Sequence, residues 1–282
     1  ALTTGDYNCD GVDDLAVGAP RESVTDPSDG AALVVYGSAT GFFGGEALYQ
    51  GGGLAGTSGP GERTGIALAS GDFDGDGCDD LAVGTPGEVV DGHRNAGAVH
   101  VTFGATAGLV ASERKVELTQ LDGLGGRPAK GNRVGTALAV ADINCDGYAD
   151  LAIGAPGRDA GARKNTGVVI VRAGSATGVD GPSWLIRQGR DLRGRQVPLA
   201  KLGAGVIAGD VNGDGCDDLV VSAPGTRVRD RPRAGAVHIL FGSVDRNQAP
   251  APIRIDQRHR APGRPTRHAM FGGASPAELF NW

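Results

Sequence analysis

The chain has 282 residues, 50 of them Gly and 15 Pro, yet 40% are apolar and 21% charged, with a formal net charge of −6. Disorder requires low hydrophobicity with high net charge, so a folded, turn-rich protein is expected. Gly at this density costs a helix roughly 1 kcal/mol per interior position, which disfavours a helical bundle, and no Gly-X-Y period marks a collagen.

The first predicted element is an acidic loop, Asp6-Tyr-Asn-Cys-Asp-Gly-Val-Asp-Asp14, running into the strand-like Leu15-Ala-Val-Gly-Ala-Pro20. It returns without gaps as Asp72 to Pro86, Asp142 to Pro156 and Asp210 to Pro224, at spacings of 66, 70 and 68 residues. A period this long means one supersecondary unit per repeat, none able to bury its apolar face alone. In the second unit Gly65 to Ser70 leads into the loop, Asp80 to Gly84 leaves it, Gly97 to Phe103 follows and Lys115 to Thr119 closes the unit. The third strand recurs as Gly30 to Tyr36, Gly167 to Arg172 and Gly235 to Phe241; the fourth recurs as Glu46 to Gln50, Ser183 to Gln188 and Pro252 to Asp256. The connectors are rich in Gly, Pro and Arg and lack a 3.6-residue period, which excludes a βαβ array. Four antiparallel strands per unit is the make-up of a propeller blade. No apolar run approaches the ~20 residues of a membrane span, the longest clusters being of the kind seen in Val168 to Val171. Ala1 is preceded by neither a basic nor an apolar leader region, so any signal peptide has been removed or lies outside this chain.

The pattern Asp-x-Asn/Asp-x-Asp-Gly-x-x-Asp-Leu-x-x-Gly-x-Pro, preceded by Gly-rich strands such as Val134-Gly-Thr-Ala-Leu-Ala139, resembles the FG-GAP repeat of the integrin α-subunit propeller and its bacterial secreted relatives. The resemblance covers almost the whole chain. It implies an all-β fold, a seven-bladed propeller with calcium loops joining the first two strands of a blade, of which this chain holds four blades and the beginning of another. The expected limits are 1–56, 57–126, 127–195, 196–264 and 265–282, all in one propeller domain. Thr64-Gly65, Val134-Gly135 and Leu202-Gly203 sit eight residues before the second, third and fourth loops, and Phe271-Gly272 continues the series with no fifth loop after it. The chain is therefore expected to be part of a larger, open propeller, although four blades could close if the tail from Phe271 to Trp282 completed the first.

Loop two carries Asp72, Asp74 and Asp76 at positions 1, 3 and 5, Cys78 at 7 and Asp80 at 9. Hard oxygens at alternate positions of a tight turn suit Ca²⁺, with position 7 donating its backbone carbonyl. The corresponding sets are Asp6, Asn8, Asp10, Val12 and Asp14; Asp142, Asn144, Asp146, Tyr148 and Asp150; and Asp210, Asn212, Asp214, Cys216 and Asp218. Up to four Ca²⁺, one per blade, are expected. An EF-hand would need Glu at position 12, where Val17, Val83, Ile153 and Val221 stand. The competing reading is that Asp, Asn and Gly merely make good turns. Against it, three or four carboxylates per loop repel one another unless compensated. Magnesium suits these loops less well, since it prefers a tight octahedron and keeps water.

Cys9, Cys78, Cys145 and Cys216 fall one per unit, alternating between loop positions 4 and 7. Four unpaired thiols are one reading. The even count and the alternation favour disulfides, preferentially Cys9 to Cys78 and Cys145 to Cys216 among three pairings, and hence an extracellular or cell-surface location.

Most Lys and Arg lie in the connectors between strands two and three and between blades, among them Arg158, Arg163, Arg190, Arg193, Arg195, Arg227, Arg229, Arg231 and Arg233. In an up-and-down blade these emerge opposite the acidic loops, on the face where the integrin resemblance also places ligand binding. They could equally be solvated loop residues. An extracellular protein or an anionic polysaccharide is the expected partner. Nucleic acid is disfavoured, because interleaved aromatics are absent and the pI is about 5.4. No catalytic motif is present: Gly51-x-Gly53-x-x-Gly56 precedes a loop instead of a helix, and His100 and His238 occupy equivalent strand positions. A non-catalytic recognition or adhesion module is the expected function. The alternative is an accessory propeller of a secreted, phospholipase-like hydrolase.

Overall fold

The repeated Asp-Leu segments that follow the acidic loops form the second strand of each of four sheets in a computed structural model of the chain, which describes residues 1–245 and 248–258. The first sheet runs β1 (Leu2–Gly5), β2 (Asp14–Ala19), β3 (Ala31–Tyr36), β4 (Phe43–Gln50) and β5 (Gly53–Leu54). The second comprises β6 (Ala67–Gly71), β7 (Asp80–Thr85), β8 (Ala98–Thr102) and β9 (Lys115–Leu118). The third comprises β10 (Ala137–Ala141), β11 (Asp150–Ala155), β12 (Val168–Arg172) and β13 (Ser183–Ile186); the fourth, β14 (Val206–Gly209), β15 (Asp218–Ala223), β16 (Ala236–Leu240) and β17 (Ile253–Ile255). Spatial order equals chain order in every sheet, the up-and-down arrangement of propeller blades. Among the described residues there is no helix. The segment expected to begin a further blade, including Phe271-Gly272, lies outside the described residues.

Successive sheets pack face to face, so one strand serves two cores. In β12, Ile170 lies in the core shared with the second sheet, while Val169 and Val171 lie in the core shared with the fourth. β11 divides the same way: Leu151, Ile153 and Ala155 face one neighbour and Ala152 the other. Alternation of side chains across a strand puts apolar residues on both faces, which is why these strands read as unbroken apolar runs. A third core joins the first two sheets through Tyr7, Val34, Leu48, Leu81 and Leu109.

The short β5, absent from the four-strand expectation, pairs parallel to β4 after the chain reverses at Gly51 and Gly52. It delivers Leu54 into that third core. The expected strand from Gly65 begins instead at Ala67, because Gly65 has a positive φ of 85° and serves a contact between sheets. A Cβ on Gly18 would stand 1.9 Å from the Gly65 carbonyl oxygen; Gly84 meets Gly135 at 2.2 Å and Gly154 meets Gly203 at 2.1 Å in the same way. The glycine of strand two in one blade thus lies directly against the glycine that opens the next. In the fourth sheet this position is Ser222.

The two outermost faces keep apolar residues in contact with solvent: Leu2 and Leu33 on the first sheet, Ile207 on the fourth. A cleft of about 480 Å³ is lined by the first strands of the second, third and fourth sheets and the residues just before them, by Val220, Ser222 and Val237 of β15 and β16, and by Ala1.

Gly84→Ala should force the second and third blades apart. The expected loss is about 1–3 kcal/mol, or about 3–10 °C in Tm. Differential scanning calorimetry checks this, and an unchanged Tm would show that the glycine contact does not set the spacing.

Candidate metal loops and the opposite face

Each acidic loop first satisfies its own backbone. Asp6 Oδ1 accepts from the Asp10 amide at 3.0 Å and its Oδ2 from Gly11 at 2.8 Å, while Asn8 and Asp10 accept from Asp10 and Val12. Asp72, Asp142 and Asp210 repeat this at position 1, and Asp76, Asp146 and Asp214 accept from the amides of Cys78, Tyr148 and Cys216. The position-9 carboxylates, Asp14, Asp80, Asp150 and Asp218, are buried where the second strand begins, and each ties two distant amides together. Asp80 accepts from Phe73 at 2.9 Å and Gly104 at 2.8 Å, joining its loop to the end of strand three. Burial pushes Asp80 up to about 8, opposed by those two hydrogen bonds and reinforced by Asp74 and Asp72. Asp150 is raised to about 6 and Asp14 is raised, in both cases chiefly by burial.

Loop two brings one oxygen each of Asp72, Asp74 and Asp80 within 4.8 Å of one another, the one such group of three among the described residues. Asp76 is outside the group, its Oδ1 taken by the Cys78 amide. The other loops have Asn at position 3, and Asn144 and Asn212 turn their amides onto Asp146 and Asp214. The extra carboxylate of loop two, Asp74, is paired with Arg114, whose guanidinium also lies 4.2 Å from the centre of the Phe103 ring. A carboxylate has about four lone-pair positions, so Asp80 can hold both amides and still face a cation. The donor set is all oxygen, as a hard divalent ion requires.

Successive loops are clamped to one another. The amides of Asp79 and Ala105 donate to the carbonyls of Asp6 and Tyr7, and those of Ala149 and Ser175 to Asp72 and Phe73. Asp217 and Ser243 do the same to Asp142 and Ile143. At position 8, Asp79 and Asp217 also accept from the amides of Asp6 and Asp142. Cys9 is bonded to Cys78 and Cys145 to Cys216, with Cα atoms 5.1 and 5.3 Å apart. No described cysteine is free.

The basic connectors have several fates. Arg158 is half-buried and donates to the Gly125 carbonyl at 2.8 Å, with burial, then Arg187, lowering its pKa; it fastens two blades together. Arg190 faces Asp191, and Arg227 caps the Arg229 carbonyl and faces Asp230. Arg163, Arg193, Arg195, Arg229, Arg231 and Arg233 are exposed. The pocket of this face is lined instead by Arg63, Arg133 and Lys201, none of them singled out from the sequence. The available signal was their common position immediately before Thr64-Gly65, Val134-Gly135 and Leu202-Gly203.

A buried polar cluster separates the first two blades. Gln50 Nε2 donates to Glu88 Oε2 at 2.8 Å, and His100 Nε2 lies 3.9 Å from the same oxygen. Burial, then the nearby Glu62, pushes Glu88 up to about 8, and burial raises Glu62 to about 7. His100, wholly buried, falls to about 4, so near neutrality the contact joins an uncharged ring to a protonated carboxyl. His238 meets Gln188 in the equivalent place at 3.1 Å and is likewise lowered to about 4. Both histidines thus occupy interior strand positions.

These repeated loops, glycine contacts and blades define an FG-GAP propeller. The FG-GAP repeat model matches residues 1–35, 64–102, 134–171 and 202–240, more than half of the chain, and the chain belongs to that family. Among its relatives is the phosphatidylinositol-glycan-specific phospholipase D of Rattus norvegicus, 35% identical over 58% of this chain and 19% of that protein. Integrin alpha pat-2 of Caenorhabditis briggsae is 32% identical over 75% of this chain and 17% of that protein. The chain thus spans less than a fifth of the length of these curated relatives. Of solved structures, a rhamnogalacturonan lyase of Bacillus licheniformis aligns with 90% of this chain and 48% of its own, at TM-score 0.41 and 12% identity.

Glu88→Gln should stabilise the protein only at higher pH. The native carboxyl holds its proton to about 8, whereas the unfolded one releases it near 4.5, so its contribution is full below the lower value and lost as pH rises through the upper one. Melting curves should show the variant more stable than the parent at about pH 9 and equal to it near pH 4. A gain of the same size at both would contradict the assignment.

Proposed function

We propose that the chain is a calcium-stabilised, non-catalytic recognition module that works outside the cell, taking an extracellular protein or an anionic polysaccharide on the face opposite the acidic loops. The convergence of Asp72, Asp74 and Asp80 on one point carries the calcium reading. A bound divalent cation would supply fixed positive charge there, and the residues to hold it are the oxygens at positions 1, 3 and 9. The same cation would keep Asp80 ionised in its buried place. The two disulfides support an oxidising location. No helix among the described residues is long and apolar enough to cross a membrane. The relationship to integrin α-subunits supports recognition as the role.

A second reading, an accessory propeller of a secreted hydrolase, is favoured by the phospholipase D relatives, whose similarity covers only 19% of their length. A hydrolase motif elsewhere in the full reading frame would promote it.

Calcium should raise Tm on titration, each occupied site contributing about 1.4 kcal/mol at ten times its Kd. Asp72→Asn should reduce that rise, whereas Asp13→Asn, at exposed position 8 of loop one, should not. Asp79, also at position 8, is unsuited as a control because it accepts from Asp6. Coincident melting curves in excess calcium and in chelator would dismiss the metal.

A further inference from the structure

At the end of the axis opposite the acidic loops, a pocket of about 250 Å³ is lined by Arg63, Arg133 and Lys201 from three successive blades. These residues are repeat equivalents, each placed where one blade passes to the next. The amides of Arg133 and Lys201 both donate at 3.0 Å to the carbonyls of Asn95 and Asn165, which also line the pocket. The convergence is therefore built by the backbone. Arg63, Arg133 and Lys201 have φ of 62°, 56° and 53°, and their partners Asn95 and Asn165 have 54° and 49°.

Among the described residues no Asp or Glu lines the pocket. Glu62, next to Arg63 in sequence, is buried and accepts from the Gly59 amide at 2.8 Å. Among the described residues the Arg63 and Arg133 side chains form no ion pair. Pro86, Gly87, Pro156 and Gly157 complete a wall without side-chain charge. The two guanidinium groups of Arg63 and Arg133 in one concavity raise its potential and favour an anion. Guanidinium groups match the paired oxygens of sulfate or phosphate, and the amides of Asn95 and Asn165 are neutral donors.

We propose that this pocket binds a sulfate or phosphate ester, its tetrahedral oxyanion held between the guanidinium groups of Arg63 and Arg133. The volume suits a single sugar-sized group, with the remainder of the ligand extending over the exposed Arg-bearing connectors. The five-residue strand β6, about 17 Å long, separates the pocket from loop two, so the site is distinct from the metal loops. The assignment rests on the reading of this face as the ligand surface and specifies the chemistry recognised there.

Isothermal titration of the whole chain at about 0.15 M NaCl, which screens diffuse attraction, tests it with N-acetylglucosamine 6-sulfate and glucose 6-phosphate as probes. Saturable one-to-one binding of either is expected, and their relative affinity identifies the ester. Arg63→Asn with Arg133→Asn should weaken binding about tenfold or more at unchanged Tm, since Asn tolerates the left-handed backbone. Arg193→Ala, on a connector outside the pocket, should leave binding intact. Absence of saturable binding for both probes would overturn the proposal, as would undiminished affinity in the folded double variant. If Arg229→Ala with Arg231→Ala abolishes binding while the pocket variant does not, the pocket assignment falls and the ligand face stands.

Discussion

A blade in this chain has two apolar faces and no means of covering either by itself. Strand β12 makes the constraint plain: Ile170 needs the second sheet, and Val169 and Val171 need the fourth. Stability is consequently a sum over interfaces between neighbours, as in other repeat proteins. The glycine pairs follow from this, since two sheets close down on apolar side chains only where their backbones can approach. Gly84 against Gly135 and Gly154 against Gly203 mark those places. At the loop end, amides and disulfides fix the same neighbours, so interfaces closed by dispersion forces between the sheets are closed by directional bonds between the loops.

The repeat was legible because period, turn chemistry and alternation all pointed to one unit. Asp6, Asp72, Asp142 and Asp210 recur at loop position 1, and the strands following them could be placed to within one or two residues, except that β4 starts at Phe43, three residues before the expected Glu46. The disulfide pairing was legible too, because alternation between positions 4 and 7 is a relation between neighbouring loops. What escaped had meaning only after assembly. Arg63, Arg133 and Lys201 are far apart in sequence and become neighbours at the axis. β5 depends on a local reversal at Gly51 and Gly52 that composition reads simply as a loop. Position 8 was not among the expected ligand positions, yet Asp79 and Asp217 grip the preceding loop.

The acidic loops show how one residue type serves fold and chemistry together. Position 1 commits its oxygens to the amides of its own turn, which shapes the loop without an ion. Position 9 anchors the loop to the end of strand three. Loop two carries one carboxylate more than its siblings and has Arg114 set against it. That arginine would compete with any metal ion for Asp74, a contest the three loops with Asn at position 3 lack.

The axial cations are held in a backbone region that ordinary side chains avoid. A left-handed conformation costs a residue other than Gly about 1–2 kcal/mol, and Asn mitigates this with local hydrogen bonds. Asn95 and Asn165 fit that rule, whereas Arg63, Arg133 and Lys201 at φ of 53–62° do not. Each sits between a blade and its successor, where the chain must turn sharply enough to place the following glycine against the previous sheet. The turn fixes the backbone, and glycine would satisfy it with less strain. A long cationic side chain in that place instead brings charge to the junction that spaces the blades, so the inter-blade turn and the pocket lining arise from the same residues.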